Sequence, residues 1–163
     1  MQRRLILMRH AQSASTSPTT GDHARPLTDK GRREAQEIAR RLAELGWSPR
    51  AVISSDATRT RQTWEAMAPA FTGVADVIWD ESLYLAGVDA IERSLRSLHD
   101  DLHTVLMLGH NPGWQQGISY FSGRQEPMSP ANAALLQGAA DRWEDLAGYG
   151  TFRLVEMLRP HTL

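Results

Sequence analysis

A chain of 163 residues is long enough for one domain of ordinary size whose core needs no covalent staples. A formal net charge of −1 and a pI near 6.6 argue against a general nucleic-acid binder, which needs a basic face, so any cationic site has to be local. The chain has no cysteine, which excludes a disulfide framework and a thiolate metal site.

The N-terminal stretch Met1-Gln2-Arg3-Arg4-Leu5 leads into too short an apolar run for a signal-peptide core or a membrane span. A cytoplasmic, monomeric protein with neither membrane nor nucleic-acid partner is the expectation. Leu5-Ile6-Leu7-Met8 then ends abruptly in Arg9-His10. So short an apolar run suits a strand covered on both faces, as in a parallel sheet, and such sheets bind ligands beyond the carboxyl ends of their strands. On this strand alone, His10 reads equally as a ligand contact or as a packed histidine.

Gln12 to Asp22, rich in Ser and Thr and holding Pro18 and Gly21, reads as an exposed loop. Thr28 is placed to cap a helix from about Asp29 to Leu45, with Ala35, Ile38, Ala39, Leu42 and Leu45 on its apolar face and Gly46 ending it. Arg32, Arg33, Arg40 and Arg41 fit a solvated face better than a binding stripe. Ala51-Val52-Ile53 predicts a second strand. Ser54-Ser55-Asp56 reads as a capping cluster for a helix from about Ala57 to Ala68.

Val74 to Trp79 is the third strand, and Ile91, Leu95, Leu98 and Leu102 mark a helix from about Asp89 to Asp101. Thr104 to Leu108 is the clearest strand, and it also ends in a histidine, in Gly109-His110-Asn111-Pro112. Asn111 can cap a helix that starts at Pro112, where the missing N–H is not needed. Pro130 to Ala140 fits a helix or a strand, and Phe152 to Leu158 alternates as a strand, so a final strand pair near an edge is predicted. The alternation of elements predicts a three-layer α/β/α sandwich with a mainly parallel central sheet and an antiparallel edge.

If the first and fourth strands are neighbours, His10 and His110 share one sheet edge. Arg59, in the first turn of the second helix, lies close to that edge. Arg9 and Arg59 would then flank two imidazoles with forked donors suited to a tetrahedral oxyanion such as phosphate, and the helix beginning near Asn111 adds unpaired N–H groups.

The strand ending in Arg9-His10, Arg25-Pro26-Leu27-Thr28 with Gly31, Ser54-Ser55 followed by Arg59, Gln62 and Thr63, and the Gly109 to Pro112 turn resemble, in this order and spacing, the histidine phosphatase (phosphoglycerate-mutase-like) superfamily. They are most similar to its small SixA-type phosphohistidine phosphatases, and the lack of a large cap insertion fits that compact type. The resemblance covers about Leu5 to Leu158 and implies a single histidine-phosphatase domain over residues 1–163. It implies that His10 is the nucleophile, forming a phosphohistidine intermediate that water hydrolyses, and that Arg9, Arg59 and His110 hold the phosphoryl group. No cofactor and no metal are implied. The substrate would be a phosphorylated protein, with phosphohistidine foremost, or a small phosphoester. A neutral His10 and a protonated His110 would suit that chemistry.

The sequence departs from the family pattern at Ala11, where glycine is usual, and at Thr60, where alanine is usual. A positive φ at Ala11 would cost on the order of 1 kcal/mol. The proton donor is the third point. Glu81, just after the third strand, is the best-placed carboxylate and reads equally as a solvated loop residue.

Two rival readings belong to other classes. His99 and His103 have the i, i+4 spacing of a zinc-binding helix, but no glutamate base follows the first histidine, which favours surface histidines. A phosphate-binding module without turnover would lack the nucleophile or an arginine. Of the scattered tryptophans, Trp114 is the one placed to line the site entrance.

Overall fold

In the computed structural model, which describes residues 1–16 and 21–161, ten principal elements alternate along the chain. They are β1 (Gln2–Arg9), α1 (Asp29–Glu44), β2 (Ala51–Ser55), α2 (Thr58–Met67), β3 (Asp76–Asp80), α3 (Val88–Ser97), β4 (Thr104–Gly109), α4 (Gly113–Ser122), β5 (Ala133–Ala139) and β6 (Arg153–Leu158). The strands form one sheet in the order β3-β2-β4-β1-β5-β6. β3, β2, β4 and β1 run parallel, while β5 and β6 close the far side antiparallel. The fold is an α/β sandwich with a mostly parallel sheet.

Successive residues of β1 point to opposite faces, and both faces are covered. Leu5 and Leu7 join the core under α3 and α4 with Ile91, Leu95, Trp114 and Ile118. Ile6 and Met8 join the core under α1 and α2 with Ala35, Ile38, Leu42 and Met67. A strand buried on both sides cannot alternate in hydropathy, which is why β1 and β4 read as unbroken apolar runs.

α1 follows its sequence signals. The Thr28 hydroxyl accepts from the Gly31 N–H at 3.0 Å, and Ala35, Ile38, Ala39 and Leu42 are buried; Leu45, one residue past the helix, is 47% exposed. Gly31 is needed where it stands, because a Cβ there would lie 2.2 Å from the Gln12 carbonyl oxygen as the chain leaving His10 crosses the helix. The loop expected from Gln12 to Asp22 falls partly on residues 17–20, outside the described residues. Its described part is tied back, with Ser13 bridged to Leu27.

Elsewhere the boundaries move. α2 begins at Thr58 after an Ala57 N-cap that has no side-chain cap, so Ser54, Ser55 and Asp56 do not cap it. Their side chains have other partners: the Ser54 hydroxyl donates to the Ser55 carbonyl, Ser55 meets His110, and Asp56 accepts from His23. α3 stops at Ser97 rather than near Asp101. The fully buried Arg3 guanidinium takes the carbonyls of Asp100 at 2.6 Å and Leu102 at 2.7 Å, and those bonds hold the segment out of the helix. His99 and His103 therefore lie beyond the helix end, and their i, i+4 spacing places them on no common helical face. Pro112 is the N-cap of α4, which starts at Gly113, and Asn111 Oδ1 accepts from the Gln115 N–H at 3.1 Å. Trp114 is fully buried with its indole N–H on the Met107 carbonyl, so it belongs to the core and not to a site entrance. The ambiguous stretch after Pro130 is a strand, β5, inserted between β1 and β6. No described helix is long and apolar enough to cross a membrane.

Candidate active site

β1 and β4 pair in parallel with Arg9 opposite Gly109, so the next residue on each strand, His10 and His110, arrives at the same sheet edge. Their ring centroids are 5.4 Å apart. His10 is 6% exposed, His110 1% and Arg59 2%, so the three form a buried polar group at the carboxyl end of the parallel strands.

The tautomer of His10 follows from its partners. Arg59 Nε donates to His10 Nε2 at 3.3 Å, and a guanidinium can only donate. Nε2 therefore carries the lone pair and Nδ1 carries the proton, which it donates to the Ala11 carbonyl at 2.7 Å. Ala11 is held in turn, its N–H donating to Thr63 Oγ1 at 3.0 Å. Among the described residues, only Leu85 and Ala131 combine a side chain with a positive φ, so the alanine that replaces the family glycine carries no backbone strain. The strained residue here is Ala131 at φ 65°, whose N–H donates to the carbonyls of Arg9 and His10 and closes the turn around His10.

Two buried side-chain nitrogens stand without partners among the described residues: Arg9 Nε and His110 Nδ1. The rest of Arg9 is anchored through Nη1 on the Met128 carbonyl at 3.0 Å, and His110 Nε2 lies 2.8 Å from the Ser55 hydroxyl. Buried polar groups are normally satisfied, so two orphans at one cluster mark where a ligand's acceptors belong.

Burial, assisted by the charges of Arg59, Arg9 and Arg25, pushes the His10 imidazole from its ordinary 6.5 to about 4, although the Ala11 carbonyl pulls the other way. Burial, followed by Arg59 and His10, pushes His110 to about 3. Both rings are thus neutral at pH 7 in the unliganded protein. The expectation of a protonated His110 does not hold there, because desolvation beside the Arg59 guanidinium disfavours a further cation.

Two groups were missed in the sequence. Asp22 accepts from Arg59 Nη2 at 3.1 Å through Oδ2, and its backbone carbonyl accepts from Nη1 at 2.8 Å. The Tyr84 hydroxyl donates to the same Asp22 oxygen, and its ring stands edge-on to His110 at 5.4 Å. The Tyr84 hydrogen bond, with the Arg59 and Arg25 charges, holds the Asp22 carboxyl down at about 2, so it is an ionised acceptor. Nothing in a Ser/Thr-rich stretch singles out Asp22. Tyr84 carried one signal, its place in the turn that follows a parallel strand. That turn is pressed onto α4, since a Cβ on Gly113 would lie 1.9 Å from the Ala86 carbonyl oxygen. Glu81 starts a short 3₁₀ turn after β3 and is exposed; among the described residues its carboxylate hydrogen-bonds to none of His10, His110, Arg9 and Arg59. No cluster of His, Asp and Glu able to hold a metal ion occurs among the described residues.

Comparison with known proteins agrees with this geometry. Residues 5–84 match the sequence profile of the histidine phosphatase superfamily (branch 1). An uncharacterized chloroplastic protein of Arabidopsis thaliana is 37% identical across 98% of this chain and 79% of its own length. A solved structure assigned as a SixA phosphohistidine phosphatase of Nakamurella multipartitia superposes with a TM-score of 0.88 at 28% identity, covering 99% of this chain and 98% of that one. A second, from Agrobacterium tumefaciens, gives 0.82 at 27% identity, covering 97% and 98%. Family profile, relative and fold agree with one another: this chain belongs to the histidine phosphatase superfamily.

Proposed function

We propose that this protein is a phosphohydrolase that removes phosphate from phosphohistidine in a protein substrate through a phosphohistidine intermediate on His10. The observation that carries the reading is the pair of buried side-chain nitrogens without partners, Arg9 Nε and His110 Nδ1, on the two residues that close β1 and β4 around His10, whose Nε2 carries a lone pair. A phosphoryl group supplies what that site lacks: an electrophilic phosphorus for Nε2 and peripheral oxygens for the donors.

In the first step Arg59 Nε exchanges its bond to Nε2 for one to a phosphoryl oxygen, and the freed lone pair forms the His10 Nε2–P bond as the bond from phosphorus to the substrate's imidazole nitrogen breaks. The phosphorylated His10 ring then carries positive charge, which its Nδ1–H shares with the Ala11 carbonyl. Arg59 already touches Nε2, so its charge lies next to the transferring oxygens. In the second step water attacks phosphorus, the P–Nε2 bond breaks, and phosphate leaves with the proton balance taken up by solvent.

The choice of phosphohistidine over an ester rests on the proton inventory. An alkoxide leaving group needs an acid. Both imidazoles are neutral at pH 7, and Asp22, the carboxylate on Arg59, is ionised. A phosphohistidine whose second ring nitrogen is protonated leaves as neutral imidazole and needs no such acid.

The test compares turnover of a phosphohistidine domain with that of an aryl phosphate, with alkaline-quench trapping of a base-stable, acid-labile phosphoenzyme in the presence of a chelator. A phosphoenzyme absent from His10→Ala and a preference for phosphohistidine are expected. Full activity in His10→Ala, or activity abolished by chelation, would overturn the mechanism; equal turnover of both substrates would overturn the substrate assignment.

A further inference from the structure

We infer that Ser55 is a positioning residue: its hydroxyl donates to His110 Nε2, confines His110 to the Nδ1–H tautomer, and so makes that imidazole a neutral oxyanion donor. The inference rests on the phosphate-site reading above and adds a residue to which that reading gives no task.

The argument is one of proton count. Ser55 is fully buried at the end of β2, and its Oγ has one hydrogen to give. That oxygen lies 2.8 Å from His110 Nε2 and accepts from the Ala57 N–H at 3.3 Å. The acceptor closest in sequence, the Ser55 carbonyl, is already taken by the hydroxyls of Ser54 at 2.8 Å and Thr60 at 2.7 Å. Among the described residues the Ser55 hydroxyl hydrogen has only His110 Nε2 to go to. Nε2 is then an acceptor, and a neutral ring must carry its proton on Nδ1, the buried nitrogen that has no partner within the chain.

The other tautomer fails on two counts. It would leave the Ser55 hydroxyl hydrogen without an acceptor, and it would aim a lone pair, not a proton, at an anion in a buried site. The motif thus uses an O–H donor on the far nitrogen of His110, where His10 has a carbonyl acceptor on its own far nitrogen.

The experiment labels histidine at its ring nitrogens and reads the tautomers of His110 and His10 by long-range proton–nitrogen correlation near pH 7, with His110→Gln assigning the signals. Wild type is expected to show a protonated Nδ1 and a bare Nε2 on His110. The reverse pattern overturns the inference and needs no variant. In Ser55→Ala the single tautomer of His110 should be lost while the His10 pattern stays, and binding of inorganic phosphate should weaken roughly tenfold. A Ser55→Ala protein with an unchanged His110 tautomer and unchanged phosphate affinity overturns it too. Wild type that binds no phosphate, yet holds His110 in the Nδ1–H form, would sink the phosphate-site reading while upholding the task given to Ser55.

Discussion

At the end of β1, His10 gives its Nδ1 proton to a backbone carbonyl and presents a lone pair; at the end of β4, His110 meets a serine hydroxyl at Nε2 and presents its other nitrogen, without a partner, to the same space. The two strands are neighbours in register, and both rings are buried and held well below 6.5. Burial and charge therefore do not distinguish them. What distinguishes them is the partner on the far nitrogen, an acceptor for one and a donor for the other, which in the proposed mechanism makes one ring the nucleophile and the other the oxyanion donor.

The largest expected effect separates the two rings directly. His10→Ala should lose at least ~10³-fold in turnover and form no phosphoenzyme, because no other described group presents a lone pair at that point. His110→Ala should still form the phosphoenzyme but lose about 10²- to 10³-fold in kcat/KM, as expected for removal of one oxyanion donor. Rapid quench of both variants decides the matter. Phosphoenzyme in the first and none in the second would reverse the assignment.

Acid should strike both histidines alike. Their pKa values in the folded chain lie below the ordinary 6.5, so as pH falls the unfolded chain binds more protons than the folded one. Stability present above about 6.5 is lost down to about 4 for His10 and about 3 for His110, at about 1.4 kcal/mol per pH unit for each. Asp22, lowered from 3.8 to about 2, adds a loss between those values. Urea midpoints between pH 7 and 5 measure the effect, and His110→Gln should flatten the slope. A midpoint that does not move in wild type would contradict the burial of both rings.

Smaller effects sharpen the picture of what surrounds the pair. Tyr84→Phe removes the hydroxyl that holds Asp22 on Arg59 and should cost only a few-fold in kcat/KM, with KM rising more than kcat falls, since Arg59 keeps its bond to His10 Nε2. Glu81→Gln should leave phosphohistidine turnover within about twofold, because no strong acid is needed. A large loss in that variant would assign Glu81 the role of proton donor after all.

Much of this site was legible along the chain. Arg9, His10 and His110 follow apolar runs that can only be doubly covered strands, and a parallel sheet sends such ends to one edge. Arg59 was found because it stands in the first turn of the helix after β2. Ser55 was noticed for the wrong reason, as a helix cap, because Ser and Asp before a helix have that local use whether or not a distant imidazole competes for the hydroxyl. The contact between Asp22 and Tyr84 was invisible because the loops that carry them meet only across the fold, with Tyr84 62 residues away from the carboxylate it holds. The end of α3 was misplaced for a similar reason: a buried Arg3, 97 residues distant, claims the Asp100 carbonyl.

By itself, then, the sequence determined which elements form, which faces they bury, and that two histidines and two arginines end near one sheet edge, because hydrophobic period and strand direction are local properties of the chain. The tertiary structure alone decided which nitrogen of each histidine holds its proton, that Ala11 is unstrained, and that Asp22 rests on Arg59. Those outcomes depend on single hydrogen bonds between segments distant in sequence, which pattern and spacing do not encode.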